Sequence, residues 1–507
     1  MPKKFLFLLL CFLFIKDFCH AEAFTVLEKE EFQLSLSAYL RKDIVTFKNA
    51  VDLDSANSDD TSTYLGIDYH IAAALEFKEY GPKFFLKLER NGPFDYDAPL
   101  FVHNALNTSG GPIDRYRKRE LLPQLEEFWL DIPLKQEIRL KAGLYMYEVG
   151  NGFALNGSFE NYGLTFYRQL DNLTWRLYYC RPDFVHKNYH LSPHIPQDKA
   201  QGILYEPNTA NFFAADVKFE NEKLCLQPYI GALVDYTSSG KRSNSFSAPA
   251  DKDILGTLGL AYNLKGDKFL FKTELARNFG KAESADPSFE DVYHTGYLLY
   301  TGIEHYAGKF TPSMQLLLAS GNKVAIDAAT NQDSTLSSGK NRAFSYYSPL
   351  NQNLGESISS SNADMLPIVA MGGGYGLNYG VPRPGTFSSG DFENLIMPCL
   401  GVDYKITNKL DLGLFAYYLR AFEKPVGPEN AEGKFLSQDL GYELDLFVDY
   451  QLSENILISI LGGYFFPGRY HKETRDDTSG SLFSPFVRGE GEADSAYQIE
   501  LAVEFKF

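Results

Sequence analysis

Apolar and polar residues alternate with a period of two along most of this chain, the mark of extended segments with one oily and one wet face. Eighteen such segments lie near residues 32–47, 64–78, 82–92, 123–132, 136–147, 158–168, 172–183, 208–219, 223–236, 252–263, 267–278, 293–304, 309–320, 391–405, 409–421, 436–451, 455–466 and 494–507. Their connectors alternate too. Short turns around Glu79–Gly81, Pro133–Lys135, Gln169–Asp171, Glu220–Glu222, Leu264–Gly266, Tyr306–Gly308, Ile406–Asn408 and Leu452–Glu454 are separated by longer polar loops, and the order never swaps. An even-stranded ribbon with both ends on one side of a membrane gives this rhythm, with short turns on the side of the ends and long loops opposite. A soluble sandwich or propeller has no reason to keep it over every connector. The predicted fold class is all-β, a transmembrane antiparallel β-barrel of about eighteen strands.

Alternation inside single segments supports this reading. In the last one Tyr497, Ile499, Leu501, Val503, Phe505 and Phe507 share a face, while Gln498, Glu500, Ala502, Glu504 and Lys506 share the other. A basic side chain facing lipid near the midplane costs about 2–4 kcal/mol, so charged faces must look into a wet lumen. Ile138, Leu140, Ala142 and Leu144 alternate with Glu137, Arg139, Lys141 and Gly143, and Leu173, Trp175, Leu177 and Tyr179 with Thr174, Arg176, Tyr178 and Cys180. The 33 Tyr and 40 Phe suit aromatic girdles at the two membrane surfaces. The chain stops on Phe507, an aromatic end resembling the signal read by the barrel-assembly machinery.

The first segment differs. Residues 1–23 read as an export signal, with Lys3 and Lys4 before an apolar run from Phe5 to Ile15 that is too short to span a bilayer, and with Ala21 and Ala23 as candidate cleavage positions. Lys16, Asp17 and Phe18 spoil a lipobox before Cys19. Residues 24–507 then form a single barrel domain, and no run in them approaches the length of a membrane helix. Cys180, Cys225 and Cys399 are far apart and show no disulfide or metal spacing. The formal charge of −17 deepens to −19 when residues 1–21, with three lysines and one aspartate, are removed, which argues against nucleic acid as a partner. Asp52, Asp54, Asn57, Asp59 and Asp60 fail the calcium-loop spacing, and the nine histidines form no HExxH or triad pattern. Neither a cofactor nor an enzymatic activity is expected.

Parity places Lys83, Lys87, Arg139, Lys141, Arg176, Lys268 and Lys272 on luminal faces, together with Glu89, Glu127, Asp131, Glu274, Glu443, Asp445, Asp449, Glu500 and Glu504. A basic wall near 83–92, 136–147 and 172–183 can face an acidic wall near 436–451 and 494–507, giving a transverse field that selects charged solutes. The same charges can instead pair between neighbouring strands and stiffen the wall. Arg139, Lys141, Arg176, Lys87, Glu443 and Asp445 are the candidate pore-lining residues. The densest basic cluster, with Arg115, Arg117, Lys118 and Arg119, gates or attracts an anionic solute, pairs with anionic lipopolysaccharide, or, as the default for a charge run on a long outer loop, is a solvated surface. The longest connector, 321–390, carries the apolar run Met365–Met371 and is expected to fold at the barrel mouth.

Two stretches carry a family resemblance. RLKAGLYMYEVGNGFALNGSFENYGLTFYRQLDNLTWRLYYCRP at 139–182 resembles the strand–loop–strand signature of bacterial alginate-export outer-membrane proteins, and LGYELDLFVDYQLSENILISILGGYFFPG at 440–468 is similar to their penultimate hairpin. The resemblance implies an export barrel with a charged constriction, the path of an anionic exopolysaccharide such as alginate, although such a path should be rich in arginine and this chain is acidic. The expectation is a channel in the Gram-negative outer membrane for passive passage of a charged small solute or polysaccharide, served by periplasmic export partners if it exports. A general or substrate-specific uptake porin stands beside it, as does a plugged outer-membrane enzyme or adhesin. Current through the reconstituted protein separates them.

Overall fold

A computed structural model describes most of residues 24–48, 62–90, 124–156, 161–181, 211–235, 250–284, 291–321, 340–344, 394–424, 437–470 and 494–506. Its strands are β1 (Phe24–Glu28), β2 (Phe32–Lys48), β3 (Ser62–Phe77), β4 (Lys83–Arg90), β5 (Gln124–Pro133), β6 (Ile138–Tyr145), β7 (Glu148–Val149) and β8 (Leu155–Asn156). Then come β9 (Asn161–Leu170), β10 (Leu173–Arg181), β11 (Asn211–Glu220), β12 (Leu224–Asp235), β13 (Ala250–Lys265), β14 (Phe269–Ser284), β15 (Val292–His294) and β16 (Tyr297–His305). The chain ends with β17 (Phe310–Ala319), β18 (Lys340–Asn341), β19 (Leu395–Thr407), β20 (Leu410–Ala421), β21 (Asp439–Ser453), β22 (Ile456–Pro467) and β23 (Ala496–Lys506).

One sheet of twenty-one strands holds all of these except the β7–β8 pair. Three of its members, β1, β15 and β18, are short additions, which leaves eighteen in the wall. Each wall strand pairs antiparallel with the next in sequence, and β2 pairs with β23 from Tyr39 opposite Lys506 to Lys48 opposite Tyr497. The ring is closed. β1 adds to the near end of β2, and Lys78 bonds Glu28 at 2.9 Å beside it. The ammonium holds the exposed Glu28 carboxyl below its ordinary range.

The two faces differ as the alternation requires. On β21 the outward positions are Tyr442, Leu444, Leu446, Val448 and Tyr450, while Glu443, Asp445, Phe447 and Asp449 are buried on the inner side. Eight residue steps from Tyr442 to Tyr450, at about 3.3 Å each and tilted by about 40°, span about 20 Å, which matches an apolar band bordered by aromatic rings. Tyr442 stacks on Tyr418 at 5.3 Å at one border, and Phe310 on Tyr404 at 4.4 Å at the other.

A few positions break the rule that charges look inward. Lys42 alternates with the inward Arg41 and Asp43, so it points out, opposite Val503. It lies near the end of the wall where β23 finishes, and its long stem can carry the ammonium to the interface. Arg168 also faces out and pairs with Glu137 at 2.9 Å beside a short turn. Lys268, expected on a luminal face, lies in the turn between β13 and β14, because the strand begins one residue later.

Leu446 stands midway between the two aromatic borders. Leu446→Arg is expected to destabilise the folded barrel in lipid vesicles by about 2–4 kcal/mol, read as a lower denaturant midpoint, while Leu446→Phe changes it little.

Candidate functional site

Residues 147–156 lie between β6 and β9. The segment folds into the lumen and runs along the inner wall, touching one strand after another. Tyr147 stacks on Tyr178 of β10 with ring centres 4.0 Å apart, and its hydroxyl donates to Asp216 of β11 at 2.7 Å. The Gly150 amide donates to Gln227 of β12 at 3.2 Å, and Asn263 of β13 donates to Asn151 at 2.9 Å. Phe153 stacks on Tyr300 of β16 at 4.1 Å. Val149, Phe153, Ala154 and Leu155 are buried against this wall. A solvated loop has no use for four apolar residues in seven, and burying them inside the ring is favourable by the ordinary hydrophobic effect.

Of the basic candidates Arg176 touches this loop, and most of them are neutralised locally. Arg176 forms a two-nitrogen pair with Asp216, Nε to Oδ2 at 2.9 Å and Nη2 to Oδ1 at 3.1 Å, and Nη2 also donates to the Glu148 carbonyl at 3.0 Å. It therefore fastens the loop to the wall. Arg139 donates to Asp131 at 2.8 Å and to the Gly81 carbonyl at 3.1 Å, and Tyr167 donates to the other Asp131 oxygen. Lys87 pairs with Glu89. Lys141 differs, because its ammonium rests over the rings of Trp129, 4.1 Å away, and Tyr145, 4.3 Å away, with no ion pair among the described residues. Such cation–π contacts leave donors free for a solute.

Acidic side chains occupy the opposite arc of the ring. Glu443 and Asp445 face inward on β21 and are fully buried. Arg41 of β2 pairs with Glu500 and lies 3.8 Å from Glu504, both on β23, so one guanidinium serves two carboxylates across the closing seam. Towards the end of the ring with short turns, Asp411 and Asp449 stand directly opposite each other in the β20–β21 ladder, with Asp403 on the next strand. Like charges placed so repel, and the Ser459 hydroxyl donates to Asp449 at 2.6 Å. Counted around the eighteen wall strands, β6 is fifth and β19 fourteenth, half a turn apart. Among the described residues no group of three or more His, Cys, Asp or Glu is placed to hold a metal ion.

Arg115, Arg117, Lys118 and Arg119 lie outside the described residues, as do residues 1–23, Asp52–Asp60, Phe507 and most of 321–390. Within that last connector, β18 pairs in parallel with β15, the Phe344 amide donates to the Ser320 carbonyl at 2.9 Å, and Phe344 is fully buried. Sequence reasoning singles out Arg176 but not its partner Asp216, nor the clamping of 147–156. The available signal is the run Val149 to Leu155, apolar where a surface loop should be polar.

No family model matches the chain, and no curated protein matches it either, so the resemblance to alginate-export proteins gains no support. Among solved structures, Pseudomonas aeruginosa OpdO is similar over 94% of this chain and 97% of its own, at 10% identity and a TM-score of 0.49. A BenF-like porin from Pseudomonas fluorescens Pf-5 is similar over 94% of this chain and 98% of its own, at 10% identity and a TM-score of 0.48. The fold stands on the chain's own strand pairing.

Arg176→Ala leaves the Asp216 charge buried without its cation. It is expected to cost about 3 kcal/mol of barrel stability, seen as a lower unfolding midpoint, and to free residues 147–156 to limited proteolysis.

Proposed function

We propose that this protein is an outer-membrane channel through which a small charged solute diffuses, closer in working to a specific uptake porin than to an exporter of polyanions. The observation that carries the reading is a closed ring with an apolar outside, a charged inside, and one loop laid along the inner wall to narrow the passage. Eighteen strands enclose more space than their own side chains fill. Selectivity then falls to the charges on the inner face. Lys141 offers an ammonium to a carboxylate or phosphate, and Asp403, Asp411 and Asp449 offer a negative field to cations on the other arc.

A flexible polyanion such as a uronate chain would meet that acidic arc along its whole length. Its many charges would each be repelled, whereas a small solute meets one arc or the other. This favours the uptake-type reading over polysaccharide export. The solute, lipid and lipopolysaccharide around the wall, and the barrel-assembly machinery that inserts it, are the partners this reading implies. Transport needs no nucleotide and runs down a gradient.

The test is current through the purified protein in a planar bilayer under a KCl gradient. Discrete conductance steps with a reversal potential on the cation side are expected, with little block by added polyuronate, and Lys141→Glu should move the reversal potential further in that direction. Steps that are anion-selective and blocked by polyuronate would restore the export reading. No steps at all would favour a plugged barrel.

A further inference from the structure

The inward loop is anchored most heavily at one wall residue. Glu274 of β14 is fully buried. Its Oε2 accepts the Asn151 amide at 2.7 Å and the Phe153 amide at 3.4 Å, and its Oε1 accepts the Ala154 amide at 3.2 Å together with the Tyr229 hydroxyl. Three backbone N–H groups turned towards one carboxylate make the concave arrangement that proteins use to hold anions. Here the anion belongs to the wall.

The loop backbone is shaped for that carboxylate. Gly150 and Gly152 adopt φ of 69° and 81°, left-handed values that cost a side-chain-bearing residue strain. A Cβ on Gly150 would stand 3.1 Å from the Glu274 carboxylate atoms. Neighbouring contacts hold the rest of the turn: the Asn151 side-chain amide donates to the Thr273 carbonyl at 3.1 Å, and Phe153 lies on Tyr300. Removing the carboxylate would leave four donors without their acceptor in a site from which water is excluded, and a buried donor without a partner costs about 1–3 kcal/mol.

From this geometry we infer that Glu274 is the latch that fixes the channel aperture: it pins residues 150–154 to the wall and so sets how far the loop narrows the lumen. The inference rests on the channel reading above and deepens it, since it names the residue that positions the constriction. Glu274 is a positioning residue, because it holds the loop and does not itself meet the solute. With the latch intact the loop keeps one position. Without it the loop leaves the wall, and the passage changes width.

Glu274→Gln tests this with almost no change of volume. If Oε2 becomes the amide nitrogen, the Asn151 and Phe153 amides face a donor; if Oε1 does, the Ala154 amide faces a donor while the Tyr229 hydroxyl can turn to accept. Gly150→Ala attacks the same contact from the loop side. Both should keep the heat-dependent gel shift of the folded barrel, and each should change single-channel conductance by roughly 1.5-fold or more with added open-state noise. The double variant should do no more than the stronger single one, because both break one contact. Should Glu274→Gln fail to fold, Gly150→Ala carries the test alone. A conducting wild type whose current is untouched by the folded variants overturns the latch and leaves the channel intact. A wild-type barrel that passes no current overturns the channel reading, and the latch with it.

Discussion

A strand edge in hydrocarbon exposes a row of amides and carbonyls that neither water nor lipid can satisfy, and each costs several kcal/mol. The ladder between β2 and β23 removes that edge by joining the first wall strand to the last over ten paired positions, Tyr39 through Lys48. Every other feature depends on this seam. The even number of wall strands puts every short turn on the side where β2 begins and β23 ends. The inner face is sealed from lipid only because no gap opens between the first strand and the last. Arg41, pinned between Glu500 and Glu504, places a dense charge cluster on this joint, where removal of one partner would leave buried charge uncompensated.

Once the ring is closed, alternation gives each strand two jobs at no cost in regularity. Tyr442, Leu444 and Leu446 meet the membrane while Glu443, Asp445 and Phe447 fill the interior. The interior is then a place where polar side chains can be arranged for selectivity, and the chain uses it unevenly. Cations along β4, β6 and β10 are mostly consumed by Glu89, Asp131 and Asp216, with Lys141 left on its aromatic bed. Carboxylates crowd the arc from β19 to β23. Residues 147–156 lie over the inner faces of β10 to β16, where Asp216, Gln227 and Glu274 are buried.

Strand positions are legible in the sequence because a period of two with one apolar face is a strong and local signal. The segment read near 409–421 is Leu410–Ala421, and that near 455–466 is Ile456–Pro467. Inward and outward sides follow from parity, as on β21, where acidic and apolar positions take turns. Two kinds of information are not local. Whether Arg176 faces solute or Asp216 depends on the register of β10 with β11, which alternation does not encode. Whether the Gly-rich run after β6 lies outside or inside depends on Glu274, a residue more than a hundred positions away. The outward Lys42 escapes a parity rule applied to whole faces, because a charge near a membrane border is tolerated. The family resemblance rests on glycine and aromatic patterns that any barrel with an inward loop and girdles can share.

Cross-linking across the seam addresses closure directly. With Cys180, Cys225 and Cys399 replaced by serine, Thr46→Cys and Ile499→Cys, opposed in the β2–β23 ladder, should oxidise within a single chain in membranes, while Thr46→Cys with Val503→Cys, four residues out of register, should not. Mass spectrometry of the digested monomer reads the link. An intrachain disulfide between positions 46 and 499 in high yield is what a closed ring predicts. Links only between chains, or an equal yield from the out-of-register pair, would contradict it.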